Sequence, residues 1–311
     1  MKLGIIGYKG HSQRIIKILE KNKNIKQIII YCRKKSVAKI LEIKKQNKNI
    51  FYTSDLSNLF DLNGVFISSK SDSHVYYIKK FEKKNVYIFC EKPAFTIKSD
   101  FKYLDNLDNK IKKKIYFNFN YKKSKLFKDL NKIIKNKKYG KVLHANIDIG
   151  HGLAFKKGLK QNWRFSEFNI FNNIAGNLGV HYINFLESYF GKSLSLEIYI
   201  SSISRKRSFD TATIIASYKN NISSKVFLSY ASPFLKEISI YMSNGIVVYS
   251  NKRISVYYPR ETYDKNSFFM KPKKNYQIKY KKEYTEDSLE NSINYFVNKV
   301  KNNNYFPLSE Y

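Results

Sequence analysis

The chain has 311 residues, 43% of them hydrophobic, enough to give two ordinary domains their own cores and to exclude a mini-protein held by cysteines. Its formal charge of +34 comes from 58 basic against 24 acidic residues, yet only seven of the bases are arginine and the lysines are scattered, which argues against a nucleic-acid or membrane partner, since readers of bases and phosphates favour the arginine fork. No stretch approaches the ~20 apolar residues that cross a bilayer; Cys32 and Cys90 lie far apart, and Met1 leads directly into a strand pattern, so a reduced, cytoplasmic protein is expected.

Residues 3–7, LGIIG, form a short apolar strand that stops in a glycine turn, and Ile15, Ile16, Ile18 and Leu19 mark the helix behind it. A second strand, 27–32, is nearly all isoleucine, as a strand buried on both faces of a parallel sheet should be. The alternation continues through a helix at 36–45, strands at 50–53 and 64–68, a helix at 71–84, a strand at 86–90, a helix at 99–107 and a strand at 114–118. This spacing predicts an α/β domain with a doubly wound parallel sheet. Beyond residue 120 a helix at 124–137 precedes a strand at 141–149, and a helix at 178–189 precedes a run of alternating strands between 195 and 258. Short polar turns such as Lys219-Asn220-Asn221 and Ser243-Asn244-Gly245 join them, the pattern of a large, mostly antiparallel open sheet in an α+β domain. A closing helix at 289–300 carries Ile293, Phe296 and Val300. The expected division is 1–120 and 121–311.

The first turn, Gly7-Tyr8-Lys9-Gly10-His11-Ser12, lies where backbone amides and a helix N-terminus can hold a pyrophosphate. Aligned on G-x-G-x-x-G, Gly7 fits the first position, but Lys9 stands at the second and Ser12 at the third; Gly10 can relax the loop one residue later, and the Lys9 cation can face phosphate. Taken alone, the loop suits an ordinary strand–helix turn as well as a nucleotide site. After the second strand no carboxylate stands where one would bind the ribose 2′-hydroxyl of NAD; Tyr31-Cys32-Arg33-Lys34-Lys35 stands there instead. Arg33 suits a 2′-phosphate, which favours NADP over NAD, against the plain alternative of solvated residues at a helix start.

The fifth strand runs into Cys90-Glu91-Lys92-Pro93, and from here the chain resembles the Gfo/Idh/MocA family of nicotinamide-dependent oxidoreductases. Val65-Phe66-Ile67-Ser68, His74 at the next helix start, and Asn118-Phe119-Asn120-Tyr121-Lys122 follow the family order. Asn162-Trp163-Arg164 resembles a frequent W-R element, and the stretch Gly176-Asn177-Leu178-Gly179-Val180-His181-Tyr182-Ile183-Asn184 resembles the D-x-G-x-H-x-x-D helix start. The likeness implies a dinucleotide-binding Rossmann domain at 1–120, a substrate-binding and oligomerisation domain at 121–311, and substrate held between nicotinamide and the open sheet. It implies cofactor contacts from Gly7, Lys9, Gly10, His11, Ser12, Arg33, Ser68, His74, Glu91, Lys92, Asn120, Trp163 and Arg164. A structural or peripheral role is the alternative for His11 and His74, as for His144 and His151, and Arg164 suits a salt bridge as well as a phosphate clamp.

For the chemistry the expected residues are Lys92, His181 and Asn177. A lysine fixed before a proline can donate a hydrogen bond to a substrate oxygen, with Glu91 to orient it. An imidazole can exchange a proton with a hydroxyl whose carbon gains or loses hydride. Asn177, four residues earlier, would share a helical face with His181. Both acidic positions of the family element are amides here, Asn177 and Asn184, and an amide positions a hydroxyl but is no base. The expected activity is hydride transfer at a hydroxyl or keto carbon of a sugar, sugar nucleotide or polyol; the alternative is a catalytically weakened or inactive relative that binds a ligand or partner. No cluster has metal-ligand spacing. The likeness also implies a homo-oligomer, dimer or tetramer. Tyr199, Tyr218, Tyr230 and Tyr241 are spaced as sheet-packing residues as much as sugar platforms.

Overall fold

In the first sheet, β1 (Lys2–Ile6), β2 (Gln27–Tyr31), β3 (Ile50–Thr53), β4 (Gly64–Ile67), β5 (Tyr87–Cys90) and β6 (Ile115–Phe117) are all parallel, in the order β3-β2-β1-β4-β5-β6. The computed structural model describes residues 1–34, 49–156, 173–204 and 208–311, so the helix expected at 36–45 and the pair Trp163 and Arg164 lie outside the described residues. Strand order reverses between β1 and β4, which makes their carboxyl ends a topological switch point, the place where such sheets take ligands. Every residue of β4 and β5 is buried, as isoleucine- and phenylalanine-rich strands between two helical layers require. α1 (His11–Glu20) turns Ile15, Ile16 and Leu19 inward; α2 (His74–Phe81) buries Val75, Ile78 and Phe81 at helical spacing. α3 (Lys98–Asp105) and a short α4 (Asn109–Lys112) follow β5. The expected helix at 71–84 begins as a 3₁₀ turn, Ser71–Ser73. There Ser73 donates from its backbone N–H and its hydroxyl to the Lys70 carbonyl, at 3.0 and 2.7 Å, a local competition that serines bring to helix starts.

The second unit is built on α5 (Lys125–Ile134), capped by the Ser124 hydroxyl, which accepts from the Phe127 N–H at 3.3 Å. Its sheet contains β7 (Val142–Gly150), β8 (Ser195–Ser201), β9 (Thr211–Tyr218), β10 (Ile222–Ser229), β11 (Leu235–Met242), β12 (Gly245–Ser250), β13 (Arg253–Tyr257) and β14 (Lys274–Lys279) in the order β14-β13-β12-β11-β7-β10-β9-β8. β7 and β10 are parallel and the other pairs antiparallel. One face, including Ala145, Ile147, Val226, Leu228, Ile238 and Ile240, is buried, while His144, Asn146, Asp148 and Lys225 alternate onto the other. α6 (Val180–Phe190) continues a π-helical turn, Ala175–Gly179, and packs on the buried face. A Cβ at Gly179 would lie 2.9 Å from Ile214 Cδ1 and 3.1 Å from Leu228 Cδ1. Gly179→Val is therefore expected to cost ~1–3 kcal/mol by overpacking, read as a lower urea midpoint.

α7 (Tyr284–Lys301) starts earlier than the sequence pattern implies; at its start the Glu283 N–H donates to Glu286 Oε1 at 3.0 Å, which satisfies a backbone donor that the helix leaves open. The chain separates into two compact units, Met1–Phe119 with Glu290–Tyr311, and Asn120–Leu289. The end of the chain clusters with the first sheet because Phe296 packs on Phe66 and Phe89, with centroids 5.0 and 5.4 Å apart, and stacks on Phe306. Among the described residues no helix is long and apolar enough to cross a membrane.

Candidate active site

At the switch point the chain leaves β1 through Gly7, whose φ is +113°. A Cβ there would meet Ser12 Oγ at 2.9 Å and the Ser68 carbonyl oxygen at 3.0 Å, so the turn requires glycine. Gly10, at φ +55°, is the N-cap of α1; no side chain caps the helix and its first turn carries no acidic residue, which is the donor set an anion takes up. Ser12, at the third glycine position, is buried. The Ser12 and Ser68 hydroxyls are hydrogen-bonded to each other at 2.9 Å, with the Ser68 carbonyl 3.4 Å from Ser12 Oγ and the Ile6 carbonyl 3.2 Å from Ser68 Oγ. Lys9, Arg33 and Lys34 are exposed, and Cys32 is buried, which pushes its thiol up.

The E-K-P turn leaves β5 beside this loop. Glu91 Oε1 lies 2.8 Å from His11 Nε2 and accepts from Asn118 Nδ2 at 2.8 Å, with its side chain 13% exposed. Burial pushes the Glu91 carboxyl up, but the His11 imidazole, the Asn118 amide and the Lys92 charge outweigh it and hold the group below the ordinary glutamate range. Asn118 Oδ1 accepts from Ser292 Oγ at 2.6 Å, which leaves the Tyr116 hydroxyl to donate to Ser292 Oγ at 2.7 Å. Lys92 is half-buried. The Pro93 carbonyl after it is 2.8 Å from His74 Nδ1, and His74 Nε2 is 3.2 Å from the Ser69 carbonyl. Both nitrogens of His74 therefore face backbone. Its burial pushes the imidazole down, only partly offset by those carbonyls.

His74 and Glu91 share a sign: each takes up a proton less readily folded than unfolded, so the stability each contributes is lost as pH falls through its lowered value. The urea midpoint is expected to decline from neutral pH into the acid range, His74 acting first and Glu91 below the ordinary glutamate range; Glu91→Gln should flatten the lower part of that decline.

In the second unit His181 lies on α6, buried, its ring stacked on Tyr121 with centroids 4.1 Å apart and planes at 19°. Tyr121 stands in the 3₁₀ turn Asn120–Lys123, and burial pushes its phenol up. The helical face expected for Asn177 and His181 assumes α geometry, whereas Asn177 falls in the π turn, a feature that recurs at functional sites. Asn177 is buried, and its N–H donates to the Asn173 carbonyl at 2.9 Å. Asn173 Oδ1 in turn accepts from the Gly176 N–H at 3.1 Å. Among the described residues the buried Asn173 Nδ2 and Asn184 Oδ1 have no hydrogen-bond partner. Asn120 Nδ2 donates to Ser288 Oγ at 2.7 Å. Tyr218 and Tyr230 are packing residues, buried in the core, while Tyr199 and Tyr241 are 59% and 40% exposed. Asn118 and Tyr121 are the residues that sequence reasoning passed over as site elements; a polar side chain closing an apolar strand was the available signal for Asn118.

A family profile described as an oxidoreductase family with an NAD-binding Rossmann fold matches residues 1–119, and one described as the GFO/IDH/MocA C-terminal domain matches residues 127–248. YteT of Bacillus subtilis (strain 168), which carries a provisional oxidoreductase name, is 28% identical over 121 residues, 38% of this chain and 26% of that protein, so the match spans about a quarter of the relative. The crystal structure of myo-inositol 2-dehydrogenase from Lactobacillus plantarum superposes with a TM-score of 0.77 at 14% identity, covering 100% of this chain and 92% of that one. An oxidoreductase from Agrobacterium radiobacter, solved with NAD+, L-tartaric acid and magnesium, gives 0.76 at 16% identity, with 98% and 89% covered. At these identities the two structures establish a shared fold. By both matching halves, the chain belongs to the Gfo/Idh/MocA family of oxidoreductases, with the NAD-binding Rossmann fold in its first 119 residues.

Proposed function

We propose that the protein is an NAD(P)-dependent dehydrogenase or reductase that moves hydride to or from a hydroxyl- or keto-bearing carbon of a sugar, sugar nucleotide or polyol. The observation that carries this reading is the 2.8 Å contact between His11 and Glu91, which sets the E-K-P turn against the start of α1. The residues present suit a dinucleotide: Gly7 supports the tight turn, α1 lacks a side-chain cap, and Lys9 stands exposed for phosphate. Arg33 and Lys34, with no carboxylate at the end of β2, favour NADP over NAD.

A nicotinamide cofactor supplies or accepts the hydride when bound. Lys92 donates a hydrogen bond to the substrate oxygen and stabilises the negative charge that develops there. His181 takes the hydroxyl proton on oxidation and returns it on reduction. Asn177 holds a neighbouring hydroxyl, a task an amide performs without exchanging a proton. The myo-inositol and tartrate names of the two fold relatives support a polyhydroxylated substrate. Exposed Tyr199 and Tyr241 on the second sheet suit packing against a second copy, as a dimer or tetramer, and the buried free thiols Cys32 and Cys90 suit a reducing cytoplasm.

Screening polyols, sugars and nucleotide sugars for a change in NADPH or NADH absorbance tests the reading. Turnover on a member of that panel is the expected result. Cofactor binding with no turnover on any class would select the second reading, a relative with weakened chemistry, which Asn177 and Asn184 favour.

A further inference from the structure

We propose that His11 is a positioning residue: it ties the dinucleotide turn to the E-K-P turn and thereby holds Lys92 in place, an inference that rests on the cofactor reading above. His11 is the first residue of α1, and its ring, 39% exposed, reaches Glu91 at 2.8 Å. Glu91 is not free to follow a displaced ring, because the same oxygen is held by Asn118, Asn118 by Ser292 and Ser292 by Tyr116, at 2.8, 2.6 and 2.7 Å. Those last three side chains are buried, so Glu91 is anchored from behind by a hydrogen-bonded chain reaching β6 and α7. On the far side of Lys92, the Pro93 carbonyl is held by His74. The lysine is thus bracketed, and His11 is the bracket member that belongs to the phosphate turn.

The position of His11 gives the contact its consequence. Lys9 and Ser12 occupy two positions of the glycine fingerprint, and side chains do the bracing instead: Ser12 reaches Ser68 at the end of β4, and His11 reaches Glu91 at the end of β5. An anion that orders the start of α1 orders His11 with it, and through Glu91 the backbone of Lys92. Cofactor affinity and the rigidity of the 91–96 turn are then linked quantities, each altered by the same substitution.

Two variants separate this role from a generic loss of stability. His11→Gln keeps a donor for Glu91, and His11→Leu keeps bulk without one. Each is compared with the wild type by hydrogen–deuterium exchange over residues 91–96, with and without NADPH, and by fluorescence titration with NADPH. In His11→Leu the 91–96 amides are expected to exchange about five- to tenfold faster, with β9 and β10 unchanged, and NADPH affinity to fall by about the same factor. NADPH should protect 91–96 in the wild type and not in His11→Leu, and His11→Gln should restore most of each effect. Wild-type exchange in His11→Leu overturns the proposal, as does a uniform rise across the whole chain. A wild type that binds no NADPH, but whose 91–96 exchange still responds to His11→Leu, overturns the cofactor reading and supports the brace itself.

Discussion

Lys92→Ala is expected to lower turnover by about a hundred- to ten-thousand-fold, the range lost when a group that stabilises developing charge or moves a proton is removed. The NADPH dissociation constant is expected to change far less than turnover. Lys92 is half-buried, at the end of a turn whose frame is carried by Glu91, Asn118, Pro93 and His74, so the unfolding midpoint should move little. His181→Gln is expected to cost turnover on a similar scale, since an amide replaces a ring that can exchange a proton. That variant also loses the stacked contact with Tyr121, worth about 0.5–1.5 kcal/mol, and a lower melting temperature should accompany the slower rate. Rates are read as NADPH-linked absorbance change on the best substrate of the panel. Near-normal turnover in both variants would remove the site assignment.

Gly7→Val is expected to abolish measurable NADPH binding and to destabilise the first unit by about 2 kcal/mol or more. The backbone at φ +113° suits glycine alone, and the added Cβ would press on the Ser68 carbonyl, a backbone atom that cannot swing away. Gly10 offers the internal control. Its φ of +55° also favours glycine, but a Cβ there would meet nothing within 4 Å, so Gly10→Ala should cost only about 1 kcal/mol and weaken NADPH modestly. A Gly7→Val protein that melts and binds like Gly10→Ala would show that the turn after β1 is not what holds the cofactor.

The parallel sheet was legible because its strands are apolar without alternation and its helices carry stripes at helical spacing, Ile15, Ile16 and Leu19 in α1 among them. The second sheet was legible for the opposite reason, in strands such as 211–218 where buried and open positions alternate. The π turn at Ala175–Gly179 was not, since apolar periodicity cannot separate it from an α-helix over five residues. The return of Phe296 and Phe306 to the first sheet's core is a long-range pairing that no local pattern announces. Lys92 and His181 stood out as candidate residues through motif context. The partners of Lys92's neighbours did not: a hydrogen bond from His11 to Glu91 joins positions eighty residues apart, and the chain from Asn118 through Ser292 spans 174. Tyr121 became visible as the partner of His181 only when their rings were found stacked.

Calorimetric titration of the wild-type protein and Gly7→Val with NADPH and NADH tests most directly whether a nicotinamide dinucleotide occupies the β1–β4 switch point. Saturable binding of NADPH by the wild type, tighter than NADH and lost in Gly7→Val, is the predicted result. Heat of binding for neither cofactor, or equal binding by the wild type and Gly7→Val, would contradict it.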